Sequence, residues 1–292
     1  MSSRVLNTAP TDREACPTVG QASAPVFRVG RLILAVCLAA GSACAATRLL
    51  VTVVEQRSGT LVTGLKAQDF NVLDDGQPRR VESAEVTPGP MDVMLLVDTS
   101  LLGAVVQPVA ENMVGQLQPK EQMAVVSFHS AAELIQDFTS SQELLRRAVG
   151  SVKFGNTPRV LDALYAAIDS GFQASTYRRV VILVTAGVEG PSRVSEREVL
   201  KLARRGAVSI YPVFVLGQEK PMFERLARQT GGACFELRDK QRAMDAKTGA
   251  RIFEVLRSPY TVTVEGNLAL GERFKVEVKR PERLFISGLP LD

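Results

Sequence analysis

With 46% hydrophobic and 23% charged side chains in 292 residues, the chain carries enough apolar material for one substantial core and a smaller appendage, which excludes a disordered or fibrous protein. The formal charge of +4 falls to +2 once residues 1–46 are set aside, since these hold four of the 35 basic and two of the 31 acidic side chains. That balance argues against a nucleic-acid partner. Pairs such as Arg178-Arg179 and Arg204-Arg205 read as solvated strand or helix ends, not phosphate clamps.

The first segment concerns location. Arg28 and Arg31 precede an apolar run, Leu32 to Ala40, too short to span a bilayer comfortably, and small residues continue to Ala46. This order reads as a secretory signal cleaved after Ala45 or Ala46, so the mature protein is expected to be periplasmic or extracellular, a setting open to envelope or membrane association. Lipoprotein processing at Cys44 is the alternative, although Gly41-Ser42-Ala43 lacks the aliphatic residue such sites carry. Residues 1–25 are polar and would make an unusually long leader, and a start at Val26 would remove them. Cys16, Cys37 and Cys44 fall in or before this region, which leaves Cys234 beyond it with no intramolecular disulfide partner. Its apolar surroundings predict a buried strand cysteine.

Past the leader, strands and helices alternate. Leu49–Glu55 predicts a strand, and Asp74-Asp75-Gly76 predicts a hairpin turn between Phe70–Leu73 and Arg80–Val86. Thr87-Pro-Gly-Pro90 is a linker. Asp92–Val97 is a continuous apolar run of the sort covered on both faces. Val105–Leu117 fits a helix, Met123–Phe128 a strand, Glu133–Asp137 an edge strand and Gln142–Val149 a helix. Leu161, Leu164, Ala167 and Ile168 share one face of a helix over Val160–Gly171. Arg179–Thr185 is a second buried strand. Then come a helix at Glu196–Arg205, a strand at Val208–Leu216, a helix at Met222–Gln229 and a strand at Ala233–Leu237. An amphipathic helix over Arg242–Leu256 leads into strands at Tyr260–Val264, Phe274–Val278 and Leu284–Ile286. The rhythm predicts an α/β fold, doubly wound, with a mostly parallel sheet flanked by helices, an N-terminal β-hairpin segment and a small C-terminal β extension. The implied boundaries are 1–46 for leader and signal, 47–90 for the N-terminal β segment and linker, 91–238 for the α/β domain and 239–292 for the terminal helix and β extension.

The informative constellation follows the first central strand. Asp98-Thr99-Ser100-Leu101-Leu102 would stand at the carboxyl edge of the sheet, where doubly wound folds bind ligands. Asp98-x-Ser100 resembles the start of the Asp-x-Ser-x-Ser metal-ion-dependent adhesion site of von Willebrand factor A domains. Gly155-Asn156-Thr157 followed by Leu161-Asp162-Ala163-Leu164 resembles the segment that supplies that site's threonine, and Val181 to Gly187 resembles the strand ending in Thr-Asp-Gly. Gly64-Leu65, the run Asp69 to Gly76, Thr230-Gly231-Gly232 and the final β segment resemble a bacterial secreted family related to these domains. The likeness covers roughly residues 48–288.

Two departures qualify what the resemblance implies. Where the family places the second serine and the Thr-Asp-Gly aspartate, this chain has Leu102 and Ala186. Magnesium asks for about six oxygens with carboxylates offsetting its charge. Asp98, Ser100 and Thr157 would be a vestigial metal set that hydrogen-bonds the loops, and no cofactor is expected. Glu189 lies nearby in sequence, with no spacing that requires its participation. Leu101, Leu102 and Gly103 are the expected partner-binding surface.

Enzyme readings lack their parts. The chain has no Gly-x-Gly-x-x-Gly after the first strand, no Walker-type phosphate loop and no Gly-x-Ser-x-Gly elbow. His129, the one histidine, is expected to cap a loop or stay partly exposed beside Ser127 and Ser130. The expected function is a secreted or envelope module that recognises a protein partner mainly without metal. A divalent-cation-dependent adhesion domain and a structural component of an envelope assembly are the alternatives.

Overall fold

The apolar run after the Pro-Gly-Pro linker becomes the middle of the molecule. In a computed structural model, which describes residues 46–237, 246–271 and 274–291, this run is strand β5, Met91–Asp98, with all eight residues buried. The predicted signal lies outside the described residues. Parallel neighbours flank β5 on both sides: β6, Gln122–Phe128, and β8, Arg178–Thr185. Beyond β8 run β9, Val208–Phe214, and β10, Phe235–Glu236, also parallel, while the edge strand β7, Ala132–Thr139, is antiparallel to β6. The six-stranded order β10-β9-β8-β5-β6-β7 confirms the predicted mostly parallel sheet.

Residue alternation along β5 shows why no polar side chain interrupts its central run, Val93 to Val97. Val93, Leu95 and Val97 enter one core with Val109 and Met113 of α1, Gln107–Val114, Leu145 of α2, Gln142–Gly150, and Phe253 of α6, Ala246–Arg257. Met94 and Leu96 enter the opposite core with Leu164 of α3, Val160–Gly171, Val199 of α4, Glu196–Arg205, and Phe223 of α5, Lys220–Gln229. Each such side chain taken fully from water stabilises the fold by about 1.5–3 kcal/mol before entropy is counted.

Several elements differ from their sequence expectation. The helix predicted over Val105–Leu117 is split into a single tight turn, Gly103–Val105, and α1, because Pro108 fixes a helix start and Gly115 a stop. The strand predicted to Leu216 ends at Phe214, where Leu216 N–H crosses to Ala186 O at 2.8 Å. The Ala233–Leu237 strand shortens to the two residues of β10. Residues 242–245 of the predicted terminal helix lie outside the described residues.

The N-terminal hairpin is also smaller than expected. The strands β2, Phe70–Asp74, and β3, Gln77–Arg79, pair around Asp75 and Gly76, both at positive φ as a tight hairpin turn requires. Here Arg80–Val86 departs from the prediction: β3 is wholly exposed, so nothing rewards a longer hairpin, and β4, Val81–Val86, instead pairs with β11, Tyr260–Glu265. Asp74 is buried, with its two carboxylate oxygens accepting from the backbone N–H groups of Ala269 and Leu270.

The terminal segments form a joint structure. Strand β1, Ala46–Glu55, lies between β11 and β13, Leu284–Pro290, in an antiparallel sheet ordered β13-β1-β11-β4. A small sheet of β12, Lys275–Val278, with β2 and β3 packs on it over Leu49, Val51, Phe70, Val72, Tyr260 and Val262. The β elements on either side of the α/β domain thus share one core.

Candidate functional site

The parallel pairing of β5 with β8 sets Val97 opposite Val184, so Asp98 and the Thr185-Ala186 pair emerge side by side at the carboxyl edge. The chain leaves β5 toward β6 on one side and returns through β8 on the other, which makes this edge the switch point of the sheet.

Asp98 is fully buried. Its Oδ2 accepts from Thr185 Oγ1 at 2.8 Å and from Ala186 N–H at 3.0 Å, and its Oδ1 accepts from Ser100 N–H at 2.9 Å. The neighbouring loops are laced by backbone bonds. Thr99 N–H donates to Phe128 O, Gly155 N–H to Thr99 O at 2.7 Å, and Leu101 N–H to Asn156 O. The segment after β5 therefore sits directly against residues 154–156.

The other predicted site residues divide. Ser100 is buried, and its Oγ meets no hydrogen-bond partner among the described residues. Thr157 is exposed, with its methyl beside Gly190 of the loop after β8; among the described residues Asp98 is the one member of the expected trio whose side chain hydrogen-bonds these loops. Gly103 is not the contact residue expected of it: it is buried, and a Cβ there would lie 2.1 Å from Asp98 O. Glycine is needed at that point for close backbone approach. Leu101 and Leu102 are open as expected, 77% and 47% exposed.

Sequence reasoning missed how far the apolar rim extends. Val105, Phe154 and Leu216 are also exposed, and with Leu101 and Leu102 they make five of the nine exposed large hydrophobics among the described residues. All five lie on loops at the carboxyl edge, brought there by the Gly155–Thr99 and Leu216–Ala186 bonds. The signal was available for Leu216, which closes an apolar run just before Gly217, but strand periodicity alone placed it inside β9.

Two acidic side chains nearby are structural. Glu189 Oε2 accepts from Val160 N–H at 2.8 Å in the first turn of α3; burial pushes its carboxyl above the usual range, against bonds from Ser192, Val160 and Leu161. Asp162 Oδ1 accepts from the N–H groups of Arg193 and Val194. Among the described residues, no group of three or more His, Cys, Asp or Glu side chains is placed to hold a metal ion. His129 is half-buried, and its Nδ1 accepts from Ser130 N–H and lies 2.8 Å from Ser130 Oγ. No carboxylate orients the ring among the described residues, so the third member of a nucleophilic triad is missing.

Gly187 offers a test of this edge. Its φ is +101°, and an added Cβ would stand 1.8 Å from Leu216 O. Gly187→Ala should lower unfolding free energy by about 3–5 kcal/mol in a urea titration, through strain plus a backbone clash. A loss below about 1 kcal/mol would show that the loops after β8 and β9 do not meet in this way.

The family model of the von Willebrand factor type A domain matches residues 92–247, more than half of the chain. The chain belongs to the von Willebrand factor type A domain family. Comparison with curated proteins yields no match. Among solved structures, this domain is similar to proximal thread matrix protein 1 from the mussel byssus, at 19% identity over 61% of this chain and 49% of that one, with a TM-score of 0.50. Another structure of that mussel protein, described with a zinc-occupied metal-ion-dependent adhesion motif, has a TM-score of 0.48 at the same identity and coverage. The SpRpn10 von Willebrand factor A domain is 12% identical over 55% of this chain and 94% of that one, at a TM-score of 0.44. Identities this low show the fold alone. A von Willebrand factor A fold is compatible with protein binding.

Proposed function

We propose that this von Willebrand factor A domain is an exported recognition module that docks a protein partner on the apolar rim of its carboxyl edge, without a bridging metal. The observation that carries the reading is the joint state of Asp98 and its edge: a buried carboxylate already satisfied by three protein donors, with exposed leucine, valine and phenylalanine on the segments that leave the same edge. A divalent cation asks for about six oxygens and anionic compensation. Here the motif supplies one committed carboxylate, one buried hydroxyl and one exposed hydroxyl, while Leu102 and Ala186 supply none. The residues do not fit the family's cation. Apolar side chains clustered on one face are a surface that gains by being covered.

Export rests on the order of basic residues, short apolar run and small residues before Ala46, within the bacterial secreted branch that the flanking segments resemble. Among the described residues no helix is long and apolar enough to cross a membrane. One observation favours a second reading, the cation-dependent adhesion domain: Ser100 Oγ is a buried oxygen with no hydrogen-bond partner among the described residues.

Partner capture with a photo-crosslinker at position 105, exposed on the same edge, separates these readings. Replacing Leu101 and Leu102 by aspartate should weaken capture at least about tenfold, since each buried leucine contributes about 1.5–3 kcal/mol. The melting temperature should stay unchanged, because both side chains are exposed. A chelator should leave capture intact. Capture abolished by the chelator would establish the adhesion reading, and capture indifferent to the aspartates would move recognition off this rim.

A further inference from the structure

A second surface lies on the flank of the sheet that α4 and α5 cover, where the two helices face β12 and β13 across an open cleft of about 650 Å³. Its charged lining is one-sided. Arg197 and Arg204 of α4, Arg228 of α5 and Lys275 of β12 stand against one carboxylate among the described residues, Glu196. We propose that this cleft docks an acidic, extended segment of a protein partner, independently of the contact made at the carboxyl edge.

The carboxylate and the lysine are already matched. Glu196 accepts from Nε and Nη2 of Arg225, each at 2.8 Å, and Arg225 does not line the cleft. Lys275 Nζ lies 2.6 Å from Glu277. Glu198, which follows Arg197, turns its carboxylate onto Ser195 in the capping box of α4. Arg197, Arg204 and Arg228 therefore meet no carboxylate at ion-pair distance among the described residues. Two of these guanidiniums are set in place by backbone carbonyls. Arg204 Nε donates to Gln229 O at 3.3 Å and Arg228 Nη1 to Ile286 O at 3.2 Å, with Arg228 also lying 4.4 Å over the Phe285 ring. A guanidinium carries several N–H donors, so each keeps most of them for a ligand, and a plane fixed beforehand loses less entropy on binding.

Spacing selects the ligand. Arg197, Leu200 and Arg204 share one face of α4, and the two arginines stand two turns apart, about 10 Å at 1.5 Å per residue. They cannot converge on one phosphate. An extended chain rises about 3.3 Å per residue, so carboxylates about three residues apart along it reach both cations with charge-assisted hydrogen bonds. Across the cleft, Phe274, Val276 and Ile286 are half-buried, and their open surface offers cover to apolar side chains between the acids. A sulfated polymer would satisfy the arginines and leave that apolar strip in water.

The test uses the full chain, with a labelled synthetic peptide of Leu-Glu-Val-Leu-Glu-Val core, the same peptide with glutamine for both glutamates, and heparin as a sulfated competitor, read by fluorescence anisotropy. The glutamate peptide should bind saturably below about 1 mM and at least about tenfold tighter than the glutamine peptide, with affinity falling several-fold as salt rises from about 50 to about 500 mM. Arg197→Glu, at an exposed position, should weaken it at least about tenfold with the melting temperature kept. Arg146→Glu on α2, against the opposite core, should leave binding unchanged, and so should aspartate at both Leu101 and Leu102, which separates this cleft from the carboxyl-edge rim. Equal binding of the two peptides, indifference to Arg197→Glu, an equal loss with Arg146→Glu, tighter binding of heparin than of the peptide, or no binding of the glutamate peptide would each overturn the proposal.

Discussion

Asp98→Ala should lower unfolding free energy by about 3–5 kcal/mol, because Thr185 Oγ1, Ala186 N–H and Ser100 N–H would lose their common acceptor at a buried position. The lost bonds tie β5 to β8 at their carboxyl ends, so the fall should appear in urea denaturation as a lower midpoint with little change in slope. Asp98→Asn should lie between wild type and alanine. The amide keeps one acceptor oxygen but turns an NH2 group toward donors, and that mismatch costs less than an empty cavity. Added magnesium should move neither variant nor the wild type. If Asp98→Ala were nearly neutral, or if magnesium stabilised the wild type but not the variant, the carboxylate would be a ligand held for a cation and not a structural clip.

Much of this architecture was legible because its cause is local. β5 and β8 are continuous apolar runs, and α3 and α4 begin and end where their sequence patterns do, α4 under a Ser195–Glu198 capping box. What was not legible depends on distant partners. Arg80–Val86 looked like the return strand of a hairpin, but Val81–Val86 pairs with Tyr260–Val264, about 180 residues further on, and no short-range pattern reports that pairing. The site shows the same division. The spacing of Asp98 and Ser100 located the edge, and Leu102 and Ala186 marked the missing oxygens. The sequence could not show that Thr185 and the Ala186 amide occupy Asp98, that Gly103 turns inward against its carbonyl, or that Phe154 and Leu216 stand exposed on loops of the same edge, more than 50 residues further along the chain.

Restoring the two absent oxygens tests the geometry and the function together. Ala186 is buried beside Asp98, so Ala186→Asp sets a second carboxylate next to the first, and like charges that close repel. In chelator the single variant should therefore melt well below wild type. Leu102→Ser, at an exposed position, should alone be nearly neutral. The double variant should remain destabilised in chelator yet recover with magnesium or manganese, because the cation would neutralise the carboxylates and find oxygens on Ser100, Thr157 and the new serine. The recovery should grow with concentration, reaching about 2.7 kcal/mol at one hundred times the dissociation constant, while the wild type stays flat over the same millimolar range. A folded double variant with no cation response would mean that the loops after β5 and β8 do not meet as the fold places them. Cation-dependent stabilisation of the wild type would instead show that Ser100 and Asp98 suffice, and recognition on this edge would pass through the ion and not through the apolar rim.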